Sequence, residues 1–66
     1  MKNTVKEERI KRQLTQVELA ELIGVSRQTI FSIEVNKYVP SVILSMKLAK
    51  TFGIKVEDIF KLELSD

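Results

Sequence analysis

Along the 66-residue chain, apolar side chains return every three or four positions in short runs, broken at Gly24, Pro40 and Gly53. That period lets a helix bury one face, and the breaks divide the chain into five helical segments. The first spans roughly residues 3–13, with Val5 and Ile10 turned inward and Lys6, Arg9, Lys11 and Arg12 forming a basic face. The second opens at Thr15. Thr15 and Glu18 fit the T-x-x-E capping box, in which each side chain accepts from a backbone N–H left unpaired at the helix start. Leu19, Ala20 and Ile23 continue as its buried stripe, and Gly24 ends it because glycine takes positive φ freely.

The third helix starts after one further residue, with Ser26 as N-cap, Ile30 and Ile33 inward, and Asn36 as a left-handed stop. Beyond the loop 37–40, Ser41 caps a fourth helix that reaches Phe52 and closes at Gly53, its inner face traced by Ser45, Leu48, Ala49 and Phe52. Ile43 and Leu44 lie beside that stripe, either as tolerated surface or as part of a subunit contact. A fifth helix covers about residues 56–60. Residues 60–64 then alternate apolar and charged, which is the period of a strand. The expected fold is all-α: one compact five-helix domain over residues 1–66, with a short C-terminal β-strand.

The segment from Gln16 to Val35 carries the functional signal. Ala20 lets two helices approach closely, Gly24 permits a sharp turn, Val25 plugs it, and Ile30 with Ile33 pin the second helix on the first. Two short helices held at a steep angle make a helix-turn-helix unit, whose second helix can enter a DNA major groove. The exposed start of that helix offers Arg27 and Gln28, with Ser32 one turn beyond Gln28. Arginine can bind guanine O6 and N7 in bidentate fashion, and glutamine can do the same with adenine N6 and N7. Phe31 falls outside the Ile30/Ile33 stripe. A thymine methyl is one partner for it, and packing against the first helix or the following loop is the other.

Charge sharpens this picture. Residues 1–50 hold nine Lys/Arg against five Asp/Glu, and residues 51–66 hold two against four. A basic body with an acidic tail suits a polyanion on one side only. The absence of Cys and His excludes disulfides and ordinary zinc sites, so no metal or cofactor is expected. Lacking also a phosphate-binding glycine loop, the chain is not expected to be an enzyme. Without a long apolar run or a signal-peptide pattern, a cytoplasmic location is expected, with no membrane partner. Glu57 and Asp58 are adjacent acids that favour a helix start and need no catalytic reading.

The segment TQVELAELIGVSRQTIFSIE, followed by NKYVPS and LAKTFGIKVEDIF, resembles the phage Cro/repressor-type (Xre-like) helix-turn-helix family over residues 3–60. The resemblance implies a transcriptional regulator, a repressor in the first instance, of the phage-repressor DNA-binding fold. It implies base reading by Arg27, Gln28 and Ser32, and backbone contacts near Ser26, Thr29 and Lys37. Gln16 matches a residue that contacts phosphate and braces the reading helix. Arg9 and Glu34 match an intraprotein ion pair. Two positions depart from the pattern. Val35-Asn36 replaces the frequent Asn-Gly, removing a phosphate contact, and Lys55 replaces the usual Ser or Thr cap of the last helix.

The expected partner is double-stranded DNA with a palindromic site, bound by a homodimer. Val56, Ile59, Phe60, Leu62 and Leu64 supply more apolar surface than so short a segment can bury, and are the expected dimer interface. A strand at 60–64 would pair with the first residues of the chain or with the other subunit; alternatively, Leu62 and Leu64 fold back and dimerisation occurs only on DNA. An antitoxin or another protein-interaction module built on the same fold is the alternative function.

Overall fold

The computed structural model describes residues 1–66 and orders them as β1 (Lys2–Asn3), α1 (Val5–Lys11), α2 (Gln16–Ile23), α3 (Arg27–Glu34), α4 (Val42–Phe52), α5 (Val56–Ile59) and β2 (Phe60–Lys61). The five helices enclose one core, built around the fully buried Val5, Leu19, Ile30, Ile33, Leu48 and Ile59. Each helix contributes to it, which is how short helices, marginal in isolation, become stable.

Local chemistry sets the helix ends. Thr15 Oγ1 accepts from the Glu18 N–H (3.0 Å) while Glu18 Oε1 accepts from the Thr15 N–H (2.9 Å), so the capping box is complete. Ser26 and Ser41 cap α3 and α4 in the same way, each accepting at 3.1 Å. Gly24 ends α2 at φ 74°, and a Cβ there would meet nothing within 4 Å. The requirement at Gly24 is therefore backbone conformation rather than space. Asn36, at φ 62°, takes the left-handed conformation after α3.

Several expectations need correction. The first helix is shorter than residues 3–13, and Ile10 is exposed. Val5 and Ile10 are five positions apart, about 140° around a helix, and cannot share a face. Arg9 turns inward instead. Leu44 is buried, so the core stripe of α4 begins one residue earlier than expected, whereas Ile43 is exposed. The last helix ends at Ile59 rather than at residue 60, and the strand covers only Phe60–Lys61 of the alternating stretch.

That strand pairs antiparallel with β1 of the same chain, Asn3 opposite Phe60 and Lys2 opposite Lys61. Because β1 offers only these residues, pairing stops at Lys61, and the rest of the tail turns back until Glu63 and Asp66 meet the Met1 ammonium at 3.2 and 3.1 Å. Ile59 and Phe60, expected at a subunit interface, are buried in this subunit's own core. Lys55 cannot accept a hydrogen bond, yet α5 starts there with half a capping box, Asp58 Oδ2 accepting from the Lys55 N–H at 3.3 Å.

Candidate nucleic-acid interface

The Gly24 turn sets α3 across α2, with Ala20 buried in α2 and Ile30 and Ile33 beneath α3 fully buried. Ile30 and Ile33 are what orient the helix. With that face committed to the core, Arg27 and Gln28 project from its N-terminal turn into solvent and Ser32 is half-buried one turn on. Ser26 and Thr29 join hydroxyls at 3.0 Å beside the same end. Ser26, Gln28, Thr29, Ser32 and Tyr38 line one open groove, so four of the polar residues singled out from sequence lie together.

Behind this face runs a continuous polar chain. Glu34 is the only acid on α3, and its side chain is 3% exposed. Arg9 meets it with two donors, Nε to Oε2 at 2.7 Å and Nη2 to Oε1 at 3.3 Å, and gives Nη1 to the Leu14 carbonyl at 2.8 Å. Gln16 Nε2 also donates to Glu34 Oε1 (3.0 Å), while Gln16 Oε1 accepts from Arg27 Nη1 (3.1 Å). A carboxylate on one side and a guanidinium on the other permit only one orientation of the Gln16 amide. Arg9, Glu34, Gln16 and Arg27 thus link α1 and α2 to both ends of α3, and the charge of Glu34 is paired within the fold.

Lys37 follows the Asn36 turn, where its backbone N–H donates to the Ser32 carbonyl at 2.9 Å, while its ammonium is exposed and forms no ion pair. Exposed lysine and arginine side chains are the groups that bind phosphate oxygens.

Three features escaped the sequence reading. Asn3 donates from Nδ2 to the Ile33 carbonyl and to Asn36 Oδ1, both at 2.9 Å, and accepts from the Val5 N–H at 3.1 Å. It thereby caps α1 and secures the end of α3; with its partners 30 and 33 residues away, no local pattern marks it. Tyr38 lines the groove beside Gln28. Finally, Val42 and Met46 join Ile43, already singled out from sequence, as exposed apolar residues on α4, with exposed Val39 in the loop before it. Their spacing was visible in the sequence, but their lack of a covering element was not.

A family model described as "Helix-turn-helix" matches residues 5–59. An uncharacterized HTH-type transcriptional regulator of Methanocaldococcus jannaschii is 57% identical over 60 residues, covering 91% of both chains. YgzD of Bacillus subtilis, likewise an uncharacterized HTH-type transcriptional regulator, is 49% identical over 63 residues, covering 96% of both. A third such regulator, from Archaeoglobus fulgidus, is 48% identical over 60 residues, covering 91% of this chain and 84% of its own.

Proposed function

The chain belongs to the helix-turn-helix family of transcriptional regulators, and from that premise we propose that it is a sequence-specific repressor reading the DNA major groove with α3. The observation that carries this reading is the N-terminal turn of α3. Arg27 and Gln28 are exposed to solvent on a helix whose opposite face is locked by Ile30 and Ile33. Arg27 and Gln28 supply bidentate donors and acceptors for base edges, and Ser32 a hydroxyl. Gln16, Ser26, Thr29 and Lys37 lie where contacts to phosphates fix the register of the helix.

No helix is long and apolar enough to cross a membrane. The chemistry proposed is binding, without a catalytic step: repression follows from occupying a promoter that polymerase needs.

The working unit is a homodimer. One reading helix contacts only a few base pairs, too few for selection among genomic sites. The longest dimension of the subunit is 32 Å, close to the roughly 34 Å between half-sites one DNA turn apart. Of the expected C-terminal interface, only Leu62 and Leu64 are fully available, with Val56 half-buried. The larger apolar surface is the stripe of Val42, Ile43 and Met46 on α4 with Val39 in the loop before it, and we assign it the main share of the contact. The same stripe would serve a different protein in an antitoxin-like module.

Selection of bound duplexes from a random pool tests the function. Enrichment of one palindromic sequence, with affinity falling steeply as salt rises, is the expected result. Recovery of no preferred sequence, together with stable co-purification of a second protein, would replace the repressor with the interaction module.

A further inference from the structure

The exposed arc of α3 has an apolar centre that reading by Arg27, Gln28 and Ser32 leaves unused. At about 100° per residue, Phe31, Gln28 and Ser32 lie about 40°, 100° and 140° from Arg27, with Ile30 and Ile33 on the far side. Phe31 therefore lies between Arg27 and Gln28 in angle, about one turn further along the helix. Phe31 is 39% exposed, and it belongs neither to the buried core nor to the half-buried apolar residues packed against it. Val35, one turn further and 44% exposed, prolongs the same strip.

A phenyl ring at that place cannot avoid the bases if Arg27 and Gln28 reach them. The major groove offers it one apolar feature, the C5 methyl of thymine. Resting on the reading of α3 as the groove helix, we propose that Phe31 is a specificity-determining residue that selects thymine through this methyl, beside the base pairs read by Arg27 and Gln28. The ring gains by leaving water against the methyl. Cytosine, which presents only an N4 donor on the same edge, offers no such surface and leaves the ring against a polar group.

The test uses the full chain and its selected duplex, with each thymine of a half-site replaced in turn by deoxyuridine, which removes only the methyl. One position in each half-site should lose about fourfold in affinity per methyl, the worth of burying one carbon group of that size. Phe31→Ala should bind the thymine and uracil duplexes equally, while keeping the wild-type melting temperature and its preference at the base pair set by Gln28. Restoring a methyl as 5-methylcytosine at that position, paired with guanine, should recover part of the affinity for wild type and none for Phe31→Ala. Wild-type indifference to every thymine-to-uracil change, or a loss that persists in Phe31→Ala, would overturn the inference while leaving base reading by α3 intact. Failure to enrich any sequence would remove both together.

Discussion

Glu34 shows how one side chain can belong to both stability and function. It sits nearly dry at the end of α3, accepts from Arg9 and Gln16, and through Gln16 holds the exposed guanidinium of Arg27. Removing either charge of the pair strands the other in a buried setting, which costs about 3–5 kcal/mol. That is a large part of the stability of a small domain. Arg9→Ala and Glu34→Ala should each lower the urea midpoint strongly, and the double variant should lose less than the sum. Simple additivity would mean that the pair is not coupled. Gln28 and Lys37 carry a different expectation. Gln28→Ala should lose about 1–3 kcal/mol of discrimination at one base pair of each half-site. Lys37→Ala should weaken every sequence alike and reduce the salt slope by about one. Binding titrations on matched and mismatched duplexes at several salt concentrations separate the two, and an unchanged base preference in Gln28→Ala would remove it as a reader.

At the scale of elements, the short helices depend on attachments at their ends. Arg12 ends α1 by reaching Glu8 Oε1 at 2.7 Å and its carbonyl at 2.9 Å, while its other Nη donates to the Phe52 carbonyl at the end of α4. Its guanidinium also lies 4.8 Å from the centre of the Phe52 ring. The Arg12 hydrogen bond is the main reason that the Glu8 carboxyl is held below its ordinary value of 4.5, burial opposing it and Lys11 adding to it. A carboxyl whose folded pKa is depressed stabilises the fold fully above the ordinary value and loses that contribution as pH falls through the folded one. The urea midpoint should therefore drop as pH falls below about 4.5. Glu8→Gln should be less stable than wild type at pH 7 and lose less on acidification. Identical pH profiles for the two proteins would show that Glu8 makes no such contribution. The Arg12–Phe52 contacts tie the end of α1 to the end of α4 directly.

For the whole molecule, the surface divides by chemistry. Arg27, Gln28 and Lys37 are exposed around α3, while apolar residues of α4 and the tail remain uncovered elsewhere. A dimer held through α4 predicts that Val42→Ser combined with Met46→Ser shifts sedimentation of the free protein at micromolar concentration toward monomer. Removal of residues 62–66 should weaken association less. If truncation alone abolishes the dimer, the tail is the interface; if the wild-type protein is monomeric and pairs only on its palindrome, the contact depends on DNA for its stability.

Much of this protein follows from local chemistry. Thr15 with Glu18, Ser26, Ser41, Gly24, Gly53 and Asn36 mark helix ends because caps and left-handed stops depend on backbone groups within a few residues. The three-to-four spacing of Leu19, Ala20, Ile23, Ile30 and Ile33 determines which side of α3 is left for other partners. Other features required the fold. Asn3 closing the end of α3, Ile59 and Phe60 entering the core, and β1 taking the strand edge all join chain ends through contacts remote in sequence. Apolar periodicity says that a side chain will seek cover; it does not say which element provides it. Ile59 and Phe60 found cover within the subunit, whereas Phe31, Val42 and Met46 did not, and only the tertiary arrangement separates those two outcomes.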